Sequence, residues 1–135
     1  ASASDPARAR LRGVRVLVAE DNPVNQIVIE GMLSMEGATA DVVDDGLAAL
    51  ERVRMQGESP YHLALLDVMM PGIDGYETAR RMRLLDPGLP MVGQTAHALH
   101  EDHEQCLAAG MADRLTKPLD TDELVRAVLR HARPG

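Results

Sequence analysis

HLALLDVMMPGIDG, residues 62–75, is the stretch on which the fold turns. Leu63 to Leu66 form an unbroken apolar run that stops at Asp67, and a loop punctuated by Pro71, Gly72 and Gly75 follows. Such a run is too short for a helix and reads as a strand closing on an acid. Outward in both directions the pattern repeats. Strands are predicted near 14–19, 38–43, 62–66, 90–94 and 112–116, and amphipathic helices near 23–36, 46–56, 74–85, 98–109 and 121–132. Five βα units predict an α/β fold, a parallel sheet with helices on both faces, whose ligands sit beyond the carboxyl ends of the strands.

Local signals support these helices. Asn22-Pro23 is an N-cap followed by a first-turn proline, after which Val24, Ile27, Val28, Met32 and Met35 fall on one apolar stripe. Asp120 to Glu123 has the spacing of a capping box, with Leu119 and Leu124 placed to staple it and Val125, Val128 and Leu129 continuing the buried face. Gly37 and Gly110 stand where helix C-terminal glycines belong. The segment ASASDPARARLR, residues 1–12, is small, polar and basic without periodicity, and is expected to be a flexible linker ahead of one domain at 13–133.

The strand ends carry the chemistry. The first strand closes with Glu20-Asp21 and the third with Asp67, so a parallel sheet brings three carboxylates to one edge. Their mutual repulsion is relieved by a hard divalent cation, best magnesium. On that spacing alone, Glu20 and Asp21 serve equally well as acids at the positive end of the first helix. The fourth strand ends at Thr95 and the fifth at Lys117, before Pro118. A hydroxyl donor and an ammonium beside three carboxylates and a metal fit a phosphoryl group: Asp67 attacks phosphorus, Lys117 and the metal offset the oxygen charge, and Thr95 donates a hydrogen bond.

Composition narrows the alternatives. A chain of 135 residues has room for one ordinary domain, and its 45% apolar content supports a proper core. Phe and Trp are absent, and Tyr61 and Tyr76 are the only aromatics, which argues against base-stacking functions. A formal net charge of −7 without a segregated basic patch argues against nucleic acid and anionic membranes as partners. Val16 to Ala19 is too short for a signal-peptide core or a span, so a cytoplasmic protein is expected. Cys106 is the lone cysteine and reads as a reduced thiol. The first residue, Ala rather than Met, fits a fragment of a longer chain or a processed one.

The stretches LVAEDNPVNQ (17–26), LLDVMMPGIDGYE (65–77), QTAHAL (94–99) and GMADRLTKPLD (110–120) stand in the order and spacing of a known family. From about Val14 to His131 the sequence closely resembles receiver domains of two-component response regulators and, in its AEDNPVNQ and MADRLTKPLD wording, those of hybrid sensor histidine kinases. The resemblance implies a flavodoxin-like, doubly wound sheet of order 2-1-3-4-5 with five helices. It implies Asp67 as phosphoacceptor, with Asp67, Thr95 and Lys117 as the catalytic set. Magnesium would be held by Glu20, Asp21, Asp67 and the carbonyl of Met69, and the phosphoryl group by backbone N–H groups of Met69 and Ala96 with Thr95 and Lys117. A cis Lys117–Pro118 bond would aim Lys117 inward. Pro71, Gly72 and Gly75 would shape the loop after the acceptor, where glycine permits conformations that a β-carbon forbids.

The implied partner is a histidine kinase or histidine phosphotransfer domain, docking near the first helix and the Asp67 rim. The implied activity is transfer of phosphoryl from phosphohistidine to Asp67, followed by signalling or onward transfer, and by self-dephosphorylation. The oligomeric state stays open. Two departures stand out: Arg114 occupies the usual aromatic switch position, and Gln94 replaces a common apolar residue beside Thr95. Together they are expected to form a polar signalling face. His97 is expected to tune hydrolysis of the acyl phosphate.

Other features carry less. His97, His100 and His103 step by three and drift around a helix, a poor zinc set. Tyr76 and Met82 read as core or helix surface, Met69 and Met70 as partly exposed, and the arginines from Arg80 to Arg83 as a solvated face. A phosphatase with an Asp nucleophile needs a second Asp where Met69 stands, and a flavin carrier needs a hydroxyl-rich first loop where Glu20-Asp21-Asn22-Pro23 stands. A receiver-like module that binds partners without phosphorylation is the remaining alternative. It would have no use for the complete set Glu20, Asp21, Asp67, Thr95 and Lys117.

Overall fold

The alternation of apolar runs and amphipathic segments is realised as β1 (Arg15–Ala19), α1 (Pro23–Met35), β2 (Thr39–Val43), α2 (Gly46–Arg54), β3 (Leu63–Asp67), α3 (Gly75–Leu85), β4 (Met91–Thr95), α4 (His100–Ala108), β5 (Asp113–Thr116) and α5 (Thr121–His131). The computed structural model describes residues 9–57, 60–97 and 99–134, so the linker expectation for 1–8 and the helical expectation at 98 lie outside the described residues. All strand pairs are parallel and the order is β2-β1-β3-β4-β5, the doubly wound arrangement that the resemblance implies.

Strand parity divides the core in two. Leu17, Ala19, Ala64, Leu66 and Met91 face α2, α3 and α4, meeting Ala49, Leu50, Val53, Ala79, Met82 and Cys106. Val16, Val18, Leu63, Leu65, Val92 and Leu115 face α1 and α5, meeting Ile29, Leu33, Leu124, Val125 and Val128. Each fully buried aliphatic side chain contributes roughly 1.5–3 kcal/mol of transfer free energy. The helices begin at the carboxyl edge of the sheet, where Asn22, Asp45, Asp74 and Asp120 each accept a backbone N–H of the first turn. Each such cap is worth about 1 kcal/mol. Gly37 and Gly110, at φ 88° and 97°, close α1 and α4 in a conformation that costs a β-carbon dearly.

Some expectations need correction. The stripe Val24, Ile27, Val28 and Met35 is exposed; α1 buries Ile29 and Leu33 instead, with Met32 packed beside them. Helix α1 is apolar on two faces, and periodicity alone does not say which one meets the sheet. Leu129 is likewise exposed, while Val125 and Val128 are buried. Packing reaches back into the segment read as linker: Leu11 is 1% exposed, its N–H donates to the Glu36 carbonyl at 2.8 Å, and Arg10 pairs with Glu36 at 2.9 Å. A lone leucine among arginines gives no periodicity to read. Met70 is buried and Met69 exposed, so only the second of these lies open beside the acceptor loop.

Candidate functional site

Parallel pairing puts the last residues of β1, β3, β4 and β5 along one edge. Glu20 and Asp21 leave β1, Asp67 ends β3, Thr95 ends β4 and Lys117 follows β5. Glu20 is fully buried and Asp67 is 3% exposed, whereas Asp21 is open to solvent. One ligand oxygen from each of Glu20, Asp21 and Asp67 lies within 4.8 Å of the others. The ammonium of Lys117 is 2.9 Å from Asp67 Oδ2 and 3.2 Å from Glu20 Oε1. The Lys117–Pro118 bond is cis.

The two buried carboxylates each accept a backbone N–H. Glu20 Oε2 accepts the Asn22 N–H at 3.0 Å, and Asp67 Oδ1 accepts the Met69 N–H at 3.1 Å. Gln26, which the sequence reading passed over, donates its amide to the Glu20 carbonyl at 2.6 Å and to Asp44 at 2.7 Å, tying the acidic loop to α1 and to the end of β2. Its place within the NPVNQ motif is the signal that could have found it. Gly75 is required for closeness: a β-carbon there would collide with the Asp67 carbonyl oxygen and Val68 Cα, pushing α3 off the acceptor strand.

The electrostatics are unbalanced. Burial, and then repulsion from Asp67, hold the Glu20 carboxyl above its ordinary range against the opposing pull of the Asn22 N–H and Lys117. Lys117 loses basicity to burial but regains more from its hydrogen bond to Asp67 and the charges of Asp67 and Glu20, so it stays raised. Three carboxylates face one ammonium, and Glu20 Oε1 is buried without a well-formed hydrogen bond, because the Lys117 contact lacks the geometry for one. A buried acceptor so placed, with carboxylate oxygens converging on it, fits a hard divalent cation.

On the fourth and fifth strands one expectation, a face shared by Gln94 and Arg114, needs correction. Thr95 is 1% exposed and its hydroxyl donates to the His97 carbonyl at 2.7 Å. Arg114 Nη1 donates to that same carbonyl at 3.2 Å. Gln94 and Arg114 do not form one face. Gln94 is level with Leu115 and lines a cleft of about 130 Å³ beside Asn25, Val28, Ile29 and Lys117, on the α1 and α5 side. Arg114 is level with Gly93, whose hydrogen points at Cys106 and Met111 on the α4 side. The two residues have opposite parity, so the shared signalling face is ruled out. Gln94 Nε2 is buried without a partner.

Ala96 and His97 are exposed, and with Val68, Met69, Tyr76 and Thr95 they line a cavity of about 260 Å³ next to the acceptor loop. The histidines of α4 do not converge: His100 pairs with Glu104 at 2.6 Å, and among the described residues the one grouping of three potential metal ligands is Glu20, Asp21 and Asp67. Met82 is buried and Tyr76 packs against the same core, as read. Arg80 and Arg81 both pair with Glu77 on the solvated side of α3. Cys106 is buried, its thiol pushed up by burial to about 11.

Comparison with known proteins gives concordant results. The family model described as the response regulator receiver domain matches residues 16–129. The sensor histidine kinase GacS of Pseudomonas protegens is 37% identical over 88% of this chain, which spans only 13% of that protein. Among solved structures, the receiver domain of sensor histidine kinase PA1611 from Pseudomonas aeruginosa, with a magnesium ion in its active-site cleft, superposes with a TM-score of 0.80. It is 40% identical and covers 88% of this chain and 97% of that one. The receiver domain of the histidine kinase CKI1 from Arabidopsis thaliana, complexed with Mg²⁺ and BeF₃⁻, gives a TM-score of 0.81 at 29% identity, covering 93% of this chain and 94% of that one. Among the described residues, no helix is long and apolar enough to cross a membrane.

Proposed function

Because the chain belongs to the response regulator receiver domain family, we propose that it accepts a phosphoryl group on Asp67 from a phosphohistidine of a histidine kinase or histidine phosphotransfer domain. One observation carries the reading: a nearly buried carboxylate hydrogen-bonded by an ammonium at 2.9 Å within a cluster of three acids. An oxygen of Asp67 attacks phosphorus as the phosphorus–nitrogen bond to the partner's imidazole breaks. That electron pair returns to the ring, which takes up a proton, and an acyl phosphate is left on Asp67.

Lys117 turns from the Asp67 carboxylate to the incoming oxygens, and the backbone N–H groups of Met69 and Ala96 with the Thr95 hydroxyl supply further donors. Glu20, Asp21, Asp67 and the Met69 carbonyl are the groups to hold magnesium. When bound, magnesium offsets the two or so negative charges that phosphorylation adds beside three carboxylates.

The exposed apolar residues Val24, Ile27 and Val28 on α1 flank this rim and suit a helical partner, since they repeat at helical spacing and leave the packed face untouched. The similarity to GacS and to the PA1611 receiver supports a place within a histidine kinase chain. His97, beside Thr95, is assigned a modest effect on acyl-phosphate hydrolysis, and His97→Ala should change the dephosphorylation rate across pH.

The test is intact-mass spectrometry after incubation with acetyl phosphate, with and without magnesium. A single magnesium-dependent phosphoryl adduct that disappears in Asp67→Asn supports the reading. No adduct with either acetyl phosphate or a phosphorylated histidine phosphotransfer domain, on a folded protein, favours a module that binds partners without phosphorylation.

A further inference from the structure

We infer that Arg114 is a positioning residue for Thr95, acting through the carbonyl oxygen of His97. The inference rests on Asp67 being the phosphoacceptor and adds a role that the missing aromatic residue does not supply. Thr95 Oγ1 and Arg114 Nη1 converge on this one oxygen, at 2.7 and 3.2 Å. Arg114 reaches it from the neighbouring strand because its register partner, Gly93, presents no side chain on that face.

The chemistry of the shared acceptor gives the contact a direction. A hydroxyl has one proton, so Thr95 cannot donate to His97 and to a phosphoryl oxygen on Asp67 at once. Two donors on one carbonyl weaken each other, since both draw on the same oxygen and their hydrogens repel. Arg114 therefore loosens the hold of His97 on Thr95. After Thr95 turns to the phosphoryl group, the guanidinium remains as a charge-assisted donor to the vacated carbonyl. Both effects favour the arrangement with an anion on Asp67.

The experiment is a double-mutant cycle on the intact chain, with beryllofluoride and Mg²⁺ as the probe and ¹⁹F NMR as the readout of affinity. The variants are Arg114→Ala, Thr95→Val and the pair, with Arg114→Lys as the conservative replacement. Arg114→Ala should weaken beryllofluoride binding by about two- to threefold, less than the worth of one hydrogen bond because the contact to His97 is present in both arrangements. The loss should vanish in the Thr95→Val background, and Arg114→Lys should recover part of it. An equal loss in both backgrounds means that Arg114 acts only through its charge or through the fold, and overturns the inference. So does unchanged or tighter binding by Arg114→Ala. Failure of the unsubstituted protein to bind beryllofluoride with Mg²⁺ removes the phosphoacceptor reading itself, a distinguishable result.

Discussion

The two edges of the sheet use the same residue types to opposite ends. Near the amino edge, Arg133 forks onto both oxygens of Asp86 at 3.0 and 2.9 Å, Gln56 adds a donor at 2.6 Å, and Arg10 closes on Glu36 at 2.9 Å. Each acid there has its cation, and the Arg133 hydrogen bond holds the Asp86 carboxyl below its ordinary range. At the carboxyl edge, Asp67 and Glu20 share Lys117, Asp21 adds a third carboxylate, and Glu20 is pushed the other way. Matched charge fixes the fold; unmatched charge keeps a site ready for a cation and an anion. A burial map alone does not separate the two, since Glu36 and Glu20 are both buried.

Metal is the sharpest way to break this comparison. Magnesium at about 100 times its dissociation constant should stabilise the protein by about 2.7 kcal/mol. Thermal unfolding should show that gain in full for Asp86→Ala and lose it for Asp67→Ala. Next in size, Asp86→Ala should cost about 1–3 kcal/mol in urea unfolding, because it strands a partly buried guanidinium. Magnesium should not change that cost.

Acid should then act on the edges with opposite sign. Asp86 has a depressed folded pKa, so its contribution is present above the unfolded carboxylate pKa and is lost as pH falls through the folded value. Glu20 has a raised one, so in chelator its penalty is absent at low pH and grows as pH rises through the folded value. Unfolding curves should therefore converge at low pH for Asp86→Asn and the unsubstituted protein, and diverge toward neutrality for Glu20→Gln. The smallest effect concerns Gln94, whose buried amide nitrogen lacks a partner. Gln94→Met should raise stability by about 1 kcal/mol, the penalty of an unpaired buried donor. A loss of stability instead would mean that a water satisfies the amide.

The five strands and all four strand-end residue groups were legible because the information is local: an apolar run, a terminal acid, a proline after Lys117; the strand order came only from the resemblance to receiver domains. What escaped was, at several positions, which face a residue takes, and which uncharged or isolated residues make long-range contacts. On α1, Val28 and Ile29 are adjacent and both apolar, and only contact with Leu65 and its neighbours decides that Ile29 is the buried one. Gln94 and Arg114 are on adjacent strands near one strand end, yet the Gly93–Arg114 register sets them on opposite sides of the sheet. Gln26 carries no charge to draw notice, although its two hydrogen bonds hold the acidic loop. Leu11 gives no pattern until Glu36 meets it.

The central claim is that the unmatched edge, and Asp67 within it, is where phosphoryl chemistry occurs. Its most direct test is hydride reduction of the acetyl-phosphate-treated protein followed by peptide mass mapping, since borohydride converts an aspartyl phosphate to homoserine. Homoserine at position 67 alone, formed only when magnesium was present, is the predicted result. Homoserine at Asp21, Asp86 or another carboxylate, or at Asp67 regardless of magnesium, would contradict the account.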